Sequence, residues 1–266
     1  MPRTTDTGTV TRTVALLREL AEASGDVQIK QLALDLGLPP STVHRLLDLL
    51  VQEDMVERDA VTRTYRAGRE FFRLAALVAG KPVIRSRAAP VLEAAMRDCN
   101  ETAYLCEYLP REQKMVFAAA CESSHPLDYR IRLDAPLTLL TGASGHAILA
   151  ALPEAVIARV HASDGRDPAV RAAVGGKAAL EAELRRVRHR GYAVSYGQRI
   201  AGAVGIFAPV FDAQGQIVAS LGYTIPEQRF ERGQLPRLGA AARTHADRLS
   251  AALGYVAHDH RKEHSA

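Results

Sequence analysis

Apolar residues spaced by threes and fours open the chain. Val14, Leu17 and Leu20 fall three apart between Thr11 and Ala23, which predicts a first helix. Ile29, Leu32, Ala33 and Leu36 repeat the helical spacing, and Gly37 is a natural stop. Leu38-Pro39-Pro40 turns the chain, and Ser41 or Thr42 stands where a helix cap is wanted. The helix that follows gathers Val43, Leu46, Leu47 and Leu50 on one face and leaves Ser41, Thr42, His44, Arg45 and Asp48 elsewhere. The period then changes. Met55 to Arg58 and Thr64 to Ala67 are short β-prone runs on either side of a polar turn, Asp59 to Arg63. Two short helices around a tight turn, the second with a polar leading face, then a hairpin, predict a winged helix-turn-helix over residues 1–68. Such a unit places a helix in the major groove of double-stranded DNA.

Arg69 to Ala79 carries Phe71, Phe72, Leu74, Ala75 and Val78 and is too short to make its own core. With Gly80-Lys81-Pro82 breaking the chain after it, residues 69–81 are expected to form a linker helix. From Pro82 the texture alternates. Val83 to Cys99 is helical, with Pro90 kinking or dividing it. Thr102 to Leu109, Lys114 to Cys121 and Leu127 to Asp134 are expected strands. Helices are expected from Ser144 to Leu152, from Pro153 to about Ala162 and from Lys177 to Arg190, the last closed by Gly191. Tyr192 to Tyr196, Val204 to Asp212 and Ile217 to Ile225 supply three more strands, the last two joined by a hairpin turn at Ala213-Gln214-Gly215. A final helix runs from about Gln234 to Leu253. The expectation is an α+β domain over residues 82–254, helices flanking a mostly antiparallel sheet, with a polar tail at 255–266.

Charge alters the picture in one place. The whole chain carries +4, yet residues 1–68 hold eight Lys or Arg against ten Asp or Glu. Binding to DNA must therefore come from placed cations rather than bulk charge, and Arg12, Arg45, Arg58, Arg63 and Arg66 are the candidates. The basic run Arg185 to Arg190 is read as a solvated helix face. No apolar stretch follows the N-terminal charges and no window suits a membrane helix, so a cytoplasmic protein is expected, without a membrane partner. Cys99, Cys106 and Cys121 lack metal or redox spacing and are expected to be core thiols. The nine histidines are scattered, so no metal and no cofactor is expected.

Catalysis has one apparent foothold. Gly142-Ala143-Ser144-Gly145-His146 sets a serine among glycines beside a histidine, but G-x-S-G is one residue short of a nucleophile elbow. A glycine-rich helix entrance suits an anion instead, through free backbone N–H groups. The carboxylates Asp98, Glu101, Glu181 and Glu183 show no paired spacing and are read as surface residues. An enzyme is not expected; the alternative is a hydrolase or small-molecule-binding enzyme that uses its N-terminal helices only to oligomerise.

LGLPPSTVHRLLDLLVQEDMVERD followed by TYRAG, then TGASGHAILAALP and RHRGYAVSYGQRIAGAVGIFAPVFDAQGQIVASLGYTIP, resemble in this order the IclR family of bacterial transcriptional regulators, over about residues 10 to 254. The resemblance implies a GAF-like C-terminal domain, a small-molecule effector, dimers that pair into tetramers, and a ligand-responsive regulator, expected to be a repressor. It places Ser41, Thr42, His44 and Arg45 on the recognition helix and Arg63 on the wing, with Arg12 a further DNA candidate. It sets Ala143, Ser144 and Gly145 at the entrance to the effector site, and Ser195, Tyr196, Gln198, Gly205, Gly222 and Thr224 facing it. The chain departs from relatives at Pro40, where many carry Lys, at Ser195-Tyr196-Gly197-Gln198, where many carry acidic residues, and at Gly205 and Gly222, where some carry Cys and Ser. These departures imply a wider, less anionic pocket, for a small organic acid of aromatic or medium size.

Overall fold

The computed structural model describes residues 8–23, 25–79, 83–127, 129 and 131–256, and divides into two compact units, residues 1–82 and 83–266. The expected break at Gly80-Lys81-Pro82 and most of the polar tail lie outside the described residues.

In the first unit, α1 (Thr9–Glu22), α2 (Ile29–Leu36) and α3 (Pro40–Gln52) pack around Leu16, Leu20, Leu32, Leu46 and Leu47. Gly37 ends α2 in the left-handed region at φ 62°, where a side chain is strained. Neither Ser41 nor Thr42 caps α3. Pro39 takes the cap position and Pro40 the first turn, where its missing N–H costs nothing, and Pro39 O accepts from the Thr42 and Val43 N–H groups. The hairpin is β1 (Val56–Arg58) paired with β2 (Tyr65–Ala67). Two hydrogen bonds, of 2.8 and 2.9 Å, bridge Tyr65 to Val27, and they tie the hairpin to the α1–α2 connection. Tyr65 is buried by that closure. Asp59 organises the turn: its carboxylate accepts from the Val61 and Thr62 N–H groups, which hold it below the usual aspartate range. Helix α4 (Arg69–Ala79) follows directly.

The second unit is a six-stranded antiparallel sheet, formed by β3 (Ala103–Leu109), β4 (Lys114–Cys121), β5 (Leu137–Thr138), β6 (Ala193–Tyr196), β7 (Ala203–Phe211) and β8 (Ile217–Pro226). Its order is β5-β4-β3-β8-β7-β6. One face packs on α5 (Val83–Cys99) and α10 (Leu235–Ala252) through Ala88, Leu92, Leu238, Ala246 and Leu249. Pro90 does not divide α5. The proline lies on the exposed side while Ala88, Leu92 and Ala95 hold the opposite side against the sheet.

The other face packs on α6 (Gly142–Ala150), α7 (Glu154–Asp164) and α9 (Lys177–Arg190). Helix α6 starts two residues before the expected Ser144, and all nine of its residues are buried, so no polar stripe marks its boundary. The expected strand at Leu127 to Asp134 does not form. Among the described residues this stretch bends between Pro126 and Pro136, and Asp134 turns left-handed at φ 57°. The two-residue β5 takes the edge position instead. The region read as loop before α9 contains α8 (Pro168–Val174), capped by Asp167 accepting from the Ala169 N–H and stopped at Gly175.

Candidate nucleic-acid interface and ligand cavity

The leading face of α3 is open. Ser41, His44 and Arg45 are exposed and Thr42 half-buried, while Val43, Leu46, Leu47 and Leu50 are turned into the core. His44 Nδ1 lies 2.8 Å from Asp48 one turn on, which restrains the imidazole. The arginines then sort themselves. Arg66 is paired with Glu57 at 2.9 Å, Arg69 with Asp54 at 2.8 Å and Arg73 with Glu70 at 2.6 Å, so their charge is largely spent within the unit. Arg58 lies over the Tyr65 ring, 5.9 Å from its centre. Among the described residues, Arg45 on α3 and Arg63 at the tip of the hairpin have no acidic partner. Arg63 sits at φ 56°, which fixes the hairpin tip in a strained turn and keeps its side chain in solvent. Arg12 is half-buried, and its Nε has no partner.

In the second unit a cavity opens beneath the first turn of α6. Of the nine expected residues, Ala143, Ser144, Ser195, Gln198, Gly205 and Thr224 line it. Phe117, Phe207, Ile131 and Ile200 supply apolar wall, with the two rings edge to face 6.3 Å apart. Three expected residues lie elsewhere. Tyr196 is 49% exposed with its ring against Phe230. Gly145 lets α6 pass close to the backbone of Leu139: a Cβ there would sit 2.4 Å from its carbonyl oxygen. Gly222 opens no space, because β7 fills it: a Cβ would sit 2.0 Å from the Ile206 carbonyl oxygen.

The expectation of a wide pocket is corrected by the same packing. Near Gly205, Ser195 and Ala143 move in to 3.0 and 3.3 Å of where a Cβ would be. The cavity holds about 30 Å³, room for roughly two water molecules.

The helix entrance is also not free. The Gly142 N–H donates to Gln198 Oε1 at 3.1 Å and the Ala143 N–H to Ser195 Oγ at 2.9 Å. Gln198 Nε2 in turn reaches the Ala173 carbonyl at the end of α8, at 3.5 Å. One lining residue had no signal in the sequence: Arg199. Its Nη2 donates to the carbonyls of Thr138, at 3.0 Å, and Thr141, while its Nε is buried and unpartnered. Burial pulls its pKa down, though a guanidinium keeps its charge at neutral pH.

Other ionisable groups serve the frame. Glu101, read as a surface residue, is buried and pairs with Arg229 through both oxygens, at 2.9 and 2.6 Å. Glu183 likewise is enclosed by Arg186 and Arg190, so the basic run on α9 is partly neutralised rather than simply solvated. His146 Nε2 donates to the Leu140 carbonyl at 2.8 Å, and burial lowers its pKa, so it stays neutral inside α6. Ser144 faces Cys106, not a base: burial pushes the Cys106 thiol up, against the Arg199 charge and the Ser144 and Ser220 hydroxyls. That arrangement offers no nucleophile and base pair. Among the described residues no group of His, Cys, Asp and Glu is placed to hold a metal, and no helix is long and apolar enough to cross a membrane.

A winged helix with an open recognition face, followed by a GAF-like domain with a small, mostly apolar cavity under α6, is the architecture of a ligand-responsive transcriptional regulator. The comparisons narrow this to a family. Residues 9–60 match the IclR helix-turn-helix domain and residues 77–251 the C-terminal domain of bacterial transcriptional regulators of the IclR type. The chain belongs to the IclR family. It is 26% identical to the HTH-type transcriptional repressor AllR of Escherichia coli K12, across 93% of this chain and 90% of AllR. It is 23% identical to the transcriptional repressor IclR of the same strain, across 95% and 92%. The crystal structure of Pseudomonas aeruginosa HmgR superposes with a TM-score of 0.73 at 27% identity, covering 94% of this chain and 99% of HmgR. The Agobacterium tumefaciens repressor BlcR gives 0.71 at 26%, covering 94% and 98%.

Proposed function

We propose that this regulator is a repressor that holds operator DNA through α3 and the hairpin tip, and releases it when a small organic acid enters the cavity under α6. The observation that carries the DNA half is the sorting of charge: Arg45 and Arg63 are left without acidic partners while Arg66, Arg69 and Arg73 are paired. Ser41, Thr42, His44 and Arg45 then face base edges, and Arg63 and Arg12 face phosphates. The role is regulatory rather than catalytic. Phe72, Leu74 and Leu77 on α4 are exposed apolar side chains, which suits pairing of two N-terminal units and hence a dimer, or a tetramer built from two dimers.

The apolar wall of Phe117, Phe207, Ile131 and Ile200 favours an aromatic or medium-sized acid, which enters only if the cavity expands. That expansion is the conformational work a ligand does: it binds the opened packing better than the closed one and shifts the population toward it. The 30 Å³ volume favours a second reading, a two- or three-carbon acid that fits with little movement.

Fluorescence anisotropy with DNA from upstream of the protein's own gene tests both. The proposal expects benzoate-type acids to release the DNA at lower concentration than acetate or pyruvate. Preference for the short acids establishes the second reading, and release by neither series removes the acid effector altogether. Light scattering near the 28.8 kDa monomer mass at micromolar concentration removes the dimer.

A further inference from the structure

The cavity contains a cation with no anion. Arg199 lies on the connection between β6 and β7, and its Nη2 is tied to the carbonyls of Thr138 in β5 and of Thr141, the residue just before α6. Its Nε lines up against Gly142, which stands at φ 79°; a Cβ there would lie 3.1 Å from Nε. The glycine therefore allows the guanidinium to press against the positive end of a helix. Two positive groups in a buried setting repel each other, and neither carbonyl cancels a full charge. Among the described residues no carboxylate pairs with Arg199. Beside it, Gln198 Oε1 and Ser195 Oγ accept the Gly142 and Ala143 N–H groups, each a neutral oxygen where a charged one binds more strongly.

We propose that Arg199 is the specificity-determining receptor for the effector's carboxylate, with Gln198 as a neutral placeholder that the carboxylate displaces from the first turn of α6. One carboxylate oxygen takes the free Nε–H of Arg199 and the other takes the Gly142 N–H. Gln198 then gives up its link between α6 and the Ala173 carbonyl of α8, so ligand entry loosens the attachment of α8 to the rest of the domain. This rests on the cavity being the effector site, and it names what the site reads: the negative charge of the acid, held by a side chain as well as by the helix entrance.

The test compares each acid with its uncharged isostere by calorimetry on the full-length protein: benzoate against benzamide, and acetate against acetamide. The parent protein is expected to prefer one of the acids to its amide by about tenfold or more. Arg199→Gln abolishes that preference while changing amide affinity by less than about threefold, which a merely structural role for Arg199 would not do. Arg199→Lys restores part of the preference. Gln198→Ala, which leaves the guanidinium in place, tightens acid binding because the placeholder is gone. Equal binding of acid and amide to the parent overturns the receptor and leaves the cavity as the effector site. A preference that survives in Arg199→Gln, or unchanged acid affinity in Gln198→Ala, also overturns it. Binding of neither acid nor amide in both pairs overturns the cavity reading and the receptor together.

Discussion

Glu101→Gln isolates the most buried arginine–carboxylate pair among the described residues of the effector domain. Glu101 begins the turn into β3, and its side chain is 9% exposed against 23% for Arg229, so both ends are largely out of water. Arg229 Nη1 also donates to the Leu127 carbonyl at 2.9 Å, so the pair pins the chain entering the segment over the cavity. Glutamine keeps the shape and one accepting oxygen but leaves the guanidinium without a counter-charge. Removing one partner of a fully buried pair costs about 3–5 kcal/mol. The remaining exposure of Arg229 lets water recover part of that, which puts the cost at about 2 kcal/mol. For a unit of this size each kcal/mol moves the midpoint by about 2–4 °C, so the effector-domain transition in calorimetry should fall by roughly 4–8 °C. Glu93→Gln is the control. Its pair with Arg97 spans 4.0 Å with both side chains mostly in solvent, and such pairs contribute almost nothing. Equal shifts for the two variants, or a shift below one degree for Glu101→Gln, would refute the reasoning.

The hairpin makes a second contrast: Arg63→Ala should weaken DNA of any sequence and reduce the salt slope of log K by about one, whereas Arg66→Ala, already neutralised by Glu57, should do much less. Matched salt titrations of the two variants decide it, and a larger loss for Arg66→Ala contradicts the charge sorting. His146 sets a third, through pH. Its folded pKa is lowered by burial below the unfolded value near 6.5, so the unfolded state takes up the proton first as pH falls. The stability it contributes is complete above about pH 6.5 and declines below, down to the folded pKa. Urea midpoints between pH 7 and pH 5 should therefore fall less in His146→Gln than in the parent, and parallel curves would show that the imidazole is not held neutral.

Much of this architecture is written in residue spacing, and the failures share a cause. The second helix, its Gly37 stop, and the long Lys177–Arg190 helix closed by Gly191 match their expected bounds, because each has a polar side and a glycine end. Helix α6 is buried all round, so periodicity cannot mark its start. Leu127 to Asp134 alternates like a strand, but prolines on both sides and a tight left-handed residue at Asp134 turn it aside. For the site, the G-A-S-G entrance points to a helix N-terminus, and six of nine expected residues do line the cavity. Arg199 was hidden because arginine in a polar loop normally faces solvent. Only the three-dimensional approach of the β6–β7 connection to α6, permitted by Gly142, brings it inside. The effect of Gly205 and Gly222 was hidden for the opposite reason: a missing side chain reads as space, but neighbouring groups close in to restore packing density.

Arg45 gives the most direct test of whether α3 reads sequence through its open face. Affinity of the parent and of Arg45→Ala should be measured on DNA from upstream of the protein's own gene and on a scrambled duplex, at one fixed salt concentration. The expected loss is about 1–3 kcal/mol on the upstream DNA, or roughly five- to 150-fold, with little change on the scrambled duplex. Equal affinity of the variant and the parent for the upstream DNA, or equal losses on both duplexes, would contradict it.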